Sequence, residues 1–445
     1  MTQKAFFKSI AFIGLLSSTS LMAQTDWIKH PLPVLSRSAT FPHWKGLATA
    51  DASVMKDNDT LKMWYSGSGW LTAADDCPHV RMGYAWSLNG IQWNEHPNNP
   101  ILDIGTRSTD FDYDGVETPS VIKDLSAPAS QRYKLWYAGR NARCKSINDH
   151  KFGYAYSPDG IHWTKYPGNP VLVTGDNSYW YNTFISNPSV LLENGIYKMW
   201  FTAPDLVING QPTDGKGNIG YATSSDGIQW TVNTSPVLIA GDQANWDAAS
   251  IAEPSVLKVG STYHMFYSAL DQWTVENFQV GYAWSSDGIN WTKSNQNPVV
   301  KIGSSSQWDR FWASHPGVMY DSFDSKFKMW YTGRDIAKIN SLTGYYWDIG
   351  YAASALVLGI DEYSIDKKLN IFPNPSNGVF MLEVPVQLSG GEIRIYNQFG
   401  QIVKSIASIN KVEIRIETFD ISNGLYIVVL NKDTTRLSRK LVINK

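Results

Sequence analysis

Five residues at one repeated position could carry chemistry: Asp51, Thr118, Asn187, Glu253 and His315. Each stands just before the closing residue of a recurring stretch. Its fullest copy reads Asn245-Trp-Asp-Ala-Ala-Ser-Ile-Ala-Glu253-Pro-Ser-Val. An aromatic residue opens each copy: Trp44, Phe111, Trp180, Trp246 and Trp308. The closer follows eight positions later, as Ala52, Pro119, Pro188, Pro254 and Pro316. The surroundings are nearly constant, yet the residue before the closer changes type every time. A purely structural position repeats with its neighbours; one that faces a shared central site has no reason to. One residue earlier stand Ala50, Glu117, Ser186, Ala252 and Ser314. Glu117 is therefore one step out of phase, and belongs at the pocket's edge or on a local bulge.

Three carboxylates and a histidine converging on one place have a definite use. Like charges held close raise at least one pKa, which keeps a carboxyl protonated as a general acid. An acid paired with a base is the minimum for glycoside hydrolysis. The expected catalytic set is Asp51 as base, with Glu117, Glu253 or His315 as acid. Thr118 and Asn187 complete the ring as substrate-binding residues. Each has a plainer alternative: Asp51 as a strand-entry cap, His315 as a hydrogen-bonded core histidine. Arg140 and Arg334 follow an aromatic strand in two repeats only. They either anchor an acidic sugar or pair with Asp112 and Asp309, and the pairing is the favoured reading. Trp70, Trp273 and Trp312 lie off the repeat and suit stacking on a sugar face.

Strands must position these residues. Successive closers lie 67, 69, 66 and 62 residues apart, a period that denotes a propeller or solenoid. After each closer comes a strand, a short turn and a second strand ending in an aromatic pair such as Met63-Trp64-Tyr65. A third strand carries Gly-Tyr-Ala, from Gly83, Gly153, Gly220, Gly281 and Gly350. Four repeats then turn at Asn89-Gly90, Asp159-Gly160, Asp226-Gly227 and Asp287-Gly288, strong hairpin signals whose two central residues are expected at positive φ. A fourth strand is expected around Trp93, Trp163, Trp230 and Trp291. Four strands per repeat make a propeller blade. The fifth repeat lacks its fourth strand, and Asp26-Trp27-Ile-Lys matches the missing piece. The N-terminus is thus expected to complete the last blade and close a five-bladed ring, leaving no unpaired edge.

Composition sets the frame. The 445 residues carry net charge -2 and no Lys/Arg run, which excludes a nucleic-acid partner. The 19 Trp and 23 Tyr fall mostly on the repeat, so their first use is packing between blades. Residues 1–23 read as a signal peptide: Lys4 and Lys8, an apolar run too short to span a bilayer, then Ala23. No other segment is long and apolar enough to be transmembrane. The two cysteines, Cys77 and Cys144, precede the third strand of adjacent repeats. In an exported chain a Cys77–Cys144 disulfide is expected. No motif calls for a metal or other cofactor, and a monomer is expected.

From about Ile365 the repeat gives way to short alternating strands that read as a small β-sandwich. The signals are Ile371-Phe-Pro373-Asn-Pro375, Ile393-Arg-Ile-Tyr396, Gly424-Leu-Tyr426 and Lys440-Leu-Val-Ile. They resemble the C-terminal sorting domain of the Bacteroidota type IX secretion system. That implies a secreted or outer-surface protein with the secretion machinery as a partner. The organisation is signal peptide 1–23, all-β five-bladed propeller 24–358, linker 359–364 and sorting domain 365–445.

The propeller has its own resemblances. Ser157-Pro-Asp-Gly-Ile-His-Trp163 resembles the aspartate box of sialidase propellers, a structural turn. The ring, with an acidic residue before Pro-Ser-Val and a following Lys-Met-Trp-Tyr, is similar to glycoside hydrolase families 43 and 32 over about residues 26–358. That implies a carbohydrate substrate and places Asp51 at the first-blade base or nucleophile. The second-blade Asp of the family is Thr118. The third-blade acid falls in Ile185-Ser-Asn-Pro, which has no carboxylate. His315 resembles the acid histidine of the family 117 neoagarooligosaccharide hydrolases. The reading is a secreted glycosidase, with a non-catalytic glycan binder or a protein-interaction propeller as alternatives.

Overall fold

The computed structural model describes residues 27–445 apart from 74, 76, 142–148, 177, 205–206, 209–210, 213–215, 243, 273–276, 323–324, 335–345, 355–368, 385–387, 398–400, 408, 410–412 and 433–434. The expected signal peptide and linker, Trp273 and Cys144 lie outside the described residues.

The chain is all-β: no α-helix stands among the described residues, and Ala129–Gln131 is a 3-10 turn. Twenty strands form five antiparallel four-stranded blades. Their inner strands are Ala48–Asp57, Gly115–Lys123, Ser186–Glu193, Ser250–Val259 and Trp312–Asp321. Neighbouring inner strands touch one another in a closed ring. Blade 5 is completed by Trp27–Lys29, paired with Asp348–Ser354 in the register Trp27↔Ser354. The N-terminal segment therefore closes the propeller.

The turn chemistry differs from the expected hairpin. Only the glycine of each Asx-Gly pair has positive φ, for example 77° at Gly90. The Asx side chain makes the turn instead: Asn89 Oδ1 accepts from the N–H groups of Ile91 and Gln92, both at 2.9 Å. Ser87 Oγ accepts from Gly90 N–H at 2.9 Å. Asp159, Asp226 and Asp287 repeat this. It is an Asx-turn, which frees the first residue from φ > 0. The expected fourth strands are also shorter, only two residues such as Asn94–Glu95. Trp93 lies before the strand and caps the turn through Nε1–H to Gly90 O, 3.0 Å.

Three repeated features lock blade to blade. The first explains Pro-Ser-Val. Ser53, Ser120, Ser189 and Ser255 each accept a hydrogen bond from a valine N–H of the following blade, at 2.9–3.1 Å. Blade 5 has Gly317 there because a Cβ would stand 1.8 Å from Ala52 O. The second concerns the buried tryptophans. Trp64, Trp136 and Trp200 donate to Gly160, Gly227 and Gly288 carbonyls of the following blade, and Trp330 donates to Gly90 at 2.8 Å to close the circle. Blade 4 faces the one blade without that turn. It carries Phe266, which packs edge-on against Trp27 at 5.4 Å. The third is a set of ionic contacts such as Lys123 to Asp57 at 2.7 Å.

The Trp330 contact carries a stability prediction. Trp330→Phe keeps a ring but takes away one of the two donors of the Gly90 carbonyl, leaving Trp93 alone, and empties part of the buried indole's space. That costs roughly 1–3 kcal/mol and lowers the melting temperature by several degrees. A thermal melt within 1 °C of the parent would show that the contact contributes nothing (~1 °C being well under the shift such a loss gives).

The C-terminal part of the chain forms a smaller unit of two sheets. Asn370–Phe372, Val379–Glu383 and Glu413–Glu417 form one; Glu392–Asn397, Ile402–Ile406, Gly424–Lys432 and Thr435–Ile443 form the other. Phe380, Leu382, Ile395, Ile416, Val428 and Leu441 meet in one core. Alternating burial along these strands, as in Val379–Glu383, makes this a β-sandwich.

Candidate functional site

Every inner strand breaks register at the same place, between Ala50/Ser53, Glu117/Ser120, Ser186/Ser189, Ala252/Ser255 and Ser314/Gly317. The extra residue is the ring residue. Its φ is 56° at Asp51, 53° at Thr118, 52° at Asn187, 58° at Glu253 and 47° at His315. Non-glycine residues hold such angles only at a cost of roughly 1–3 kcal/mol each. All five do so together because the bulge turns the side chain into the channel.

The strained backbone is held by the preceding blade. Asp51 N–H donates to Thr332 Oγ1 at 3.2 Å, Thr118 to Ser66 Oγ at 3.0 Å, Glu253 to Thr202 Oγ1 at 2.7 Å and His315 to Ser268 Oγ at 2.9 Å. Ala138 occupies the matching place for Asn187 and has no hydroxyl to offer. The side chains meet at a cavity of about 50 Å³, lined by the five ring residues and their closers Ala52, Pro119, Pro188, Pro254 and Pro316.

One half of the ring is ionic. His315 Nε2 lies 2.8 Å from Glu253 Oε1 and 3.3 Å from Asp51 Oδ1. Glu253 Oε2 accepts from the His315 backbone N–H at 2.9 Å, and Ser314 Oγ faces Nδ1 at 2.9 Å. Burial opposes charge on this imidazole, but Glu253 and Asp51 outweigh it and push the pKa up to about 9. Both ring nitrogens then carry protons, one toward Glu253 and one toward Ser314. Burial raises Asp51 above the usual carboxylate range, against the pull of His315. Asp51 Oδ1 is buried and accepts no hydrogen bond among the described residues, and neither does Thr118 Oγ1 across the ring.

Glu117 does not line the cavity. His150 Nε2 lies 2.8 Å from its Oε1, and Arg140 Nε 3.5 Å from the same oxygen. Burial alone would raise its pKa; Arg140 and His150 bring it down to about 2 instead. It is a fixed carboxylate at the edge of the ring. His150 was not singled out in the sequence, although it stands three residues before Gly153, at the entry to the third strand.

The arginine pairing expected from sequence is not what forms. Asp112 takes Lys165 at 2.6 Å and Tyr137 Oη at 2.9 Å. Asp309 takes Lys29 at 2.6 Å and Tyr331 Oη at 2.8 Å. These lysines come from the outer strands, which reach the aspartates first. Arg140 turns to Glu117, and the Arg334 guanidinium lies 4.3 Å above the Trp312 ring. Trp312 stands beside His315, with ring centroids 6.3 Å apart. Trp70 packs edge-on against Phe41, away from the cavity lining.

Comparison with known proteins divides along the same line as the fold. Residues 370–444 match the secretion system C-terminal sorting domain. The protein is secreted or attached to the outer cell surface. No helix among the described residues is long and apolar enough to cross a membrane. The chain is 26% identical over 218 residues to an uncharacterized protein of Mycobacterium tuberculosis (strain CDC 1551 / Oshkosh), 48% of this chain and 65% of that relative. The match thus spans a little less than two thirds of the relative. A 1,2-beta-oligomannan phosphorylase of Thermoanaerobacter sp. (strain X514) is 22% identical over 124 residues, 28% of this chain and 41% of that relative. One similar solved structure comes from the GH130 family of mannoside phosphorylases and its glycoside hydrolases that target beta-1,2 mannosidic linkages in Candida mannan. It superposes with a TM-score of 0.55 at 15% identity, over 75% of this chain and 97% of that one. At that identity the likeness shows the fold. Two of these relatives carry the names of mannoside-acting enzymes, where the sequence resemblance pointed to families 43 and 32.

Proposed function

We propose that the protein is a secreted enzyme that cleaves a glycan at the mouth of the central channel. The observation that carries the reading is the Asp51–His315–Glu253 contact on one half of the ring. Asp51 is the proton donor: it is buried, raised in pKa, and its Oδ1 accepts no hydrogen bond, facing only the His315 imidazole at 3.3 Å. This reverses the base role that the sequence favoured for Asp51. His315 is a fixed cation that holds Glu253 in place, and Glu253 is the remaining base. Glu117, closed off by Arg140 and His150, shapes the electrostatics without transferring a proton. The names of the relatives favour a β-linked mannoside as substrate.

The test is a panel of β-1,2-mannobiose, β-mannan and unrelated neutral polysaccharides, incubated with the mature protein. Release of reducing sugar supports hydrolysis. Release of sugar 1-phosphate only when inorganic phosphate is present supports phosphorolysis. Binding without product would leave a glycan-binding propeller, and neither binding nor product would end the glycan reading.

Two features of the export reading have their own checks. The sorting domain should be needed for secretion and dispensable for catalysis. A chain ending at Leu358 should stay inside the native host yet keep its activity; normal secretion of that chain would refute the assignment. Cys77 is largely buried, 9% exposed, and we propose that it pairs with Cys144. Thiol titration of the unfolded, unreduced mature protein should find no reactive cysteine; two would exclude the bond.

A further inference from the structure

We infer that Trp312 and Trp347 together form a sugar-stacking platform beside the proton donor, and this rests on the glycan reading above. Their rings are stacked, with centroids 5.2 Å apart and planes 26° apart. Both ring centroids lie 6.3 Å from that of His315. Both side chains are part-exposed, so an indole surface reaches the mouth of the channel. Arg334 lies over Trp312 at 4.3 Å, and Phe278 meets it edge-on at 5.1 Å. These contacts fix the inner indole and, through it, the outer one.

The backbone adds rigidity from both catalytic blades. Trp312 opens the inner strand of blade 5, three residues before His315. Trp347 bridges to blade 1: its carbonyl accepts from Thr49 N–H at 3.0 Å, two residues before Asp51. The platform is therefore anchored to the two strands that supply the donor and the cation. The other four blades have no tryptophan at either matching position, and two of them have glycine, Gly115 and Gly217. Blade 3 has Phe184 at the Trp312 position, 6.1 Å from His150 of blade 2, so the paired indoles, though not every aromatic ring, are confined to one side of the ring.

The size of the cavity gives the platform its purpose. About 50 Å³ holds a few waters and falls well short of the roughly 150 Å³ that takes up one benzene ring, so a sugar ring stays outside the channel itself. It must lie across the mouth and send only a hydroxyl, or the bond to be cut, down toward Asp51. A flat apolar wall at that level is what a pyranose needs, because its C–H face is apolar while its edge is polar. The chemistry selects a neutral sugar with one open face, such as a β-linked pyranoside.

The experiment uses full-length mature protein with Trp347→Ala, and Trp347→Phe as the conservative variant. Steady-state kinetics on the best substrate of the panel should show KM about tenfold higher for Trp347→Ala with kcat within about threefold, since stacking binds ground state and transition state alike. Trp347→Phe should recover most of the loss. Thermal melts must first show both variants folded. If Trp347→Ala does not fold, the phenylalanine variant and the quenching of wild-type tryptophan fluorescence by β-1,2-mannobiose decide instead. An unchanged KM in Trp347→Ala with activity intact overturns the platform alone, as does a full loss of kcat at unchanged KM. If no sugar of the panel binds or reacts, the platform falls together with the proposed function.

Discussion

Asp51→Asn should lower kcat by about 10²–10⁴ and leave the protein as stable as before or more so. The first half follows from geometry and charge. Asp51 is the ring carboxyl with an oxygen free of hydrogen bonds, and burial raises its pKa while His315 pulls the other way. Asparagine fills the same space but cannot give up a proton. The second half follows from linkage. A carboxyl whose folded pKa is raised loses its proton more readily in the unfolded chain, so it weakens the fold as pH rises through that interval. Asparagine removes the term. Activity on the best substrate should therefore fall as pH rises through the raised Asp51 pKa, and Asp51→Asn should lack that limb. The checks are a pH profile of kcat and thermal melts at neutral pH. A variant within tenfold of wild type would remove Asp51 from proton transfer, as would a pH profile that keeps its alkaline limb.

How much of this could be read from the chain alone depends on what each feature rests on. The repeat, the five blades and the closure by Trp27 were legible because strand and turn signals recur in sequence order. The convergence of Asp51, Glu253 and His315 was legible for the same reason, since equivalent positions meet around an axis. The αL bulge was not. At four of its five places it is held by Thr332, Ser66, Thr202 and Ser268, hydroxyls on the preceding blades, which no local pattern links to the ring. The sealing of Glu117 was hidden in a similar way. Its partner His150 follows a loop of unequal length in every repeat, so spacing could not align it. The arginines were misread because Lys165 and Lys29 compete for the same aspartates from outer strands. Sequence registers the competitor but not its reach. Aligning the starts of the third strands would have brought out both His150 and Trp347.

His315→Gln should cost more stability than any other single change at the ring, and it should do so in a pH-dependent way. In the folded protein the imidazole pKa is pushed up to about 9 from 6.5. A group raised on folding stabilises fully below its unfolded pKa, and that stabilisation fades as pH climbs to the folded value. The window is thus pH 6.5 to about 9, and the size is roughly 3 kcal/mol at 1.36 kcal/mol per unit. Wild type should lose about that much between pH 6 and pH 9.5. His315→Gln should be flat across the window and start roughly 3–5 kcal/mol lower, because Asp51 and Glu253 then face each other, buried, without the cation between them. All other titratable groups are common to both proteins. The difference between wild type and variant isolates His315. Denaturant unfolding at several pH values measures it. A difference that does not change with pH would mean that the imidazole holds no extra proton in the fold. The cation assigned to His315 would then be lost, and with it the charge that holds Glu253 in place beside Asp51.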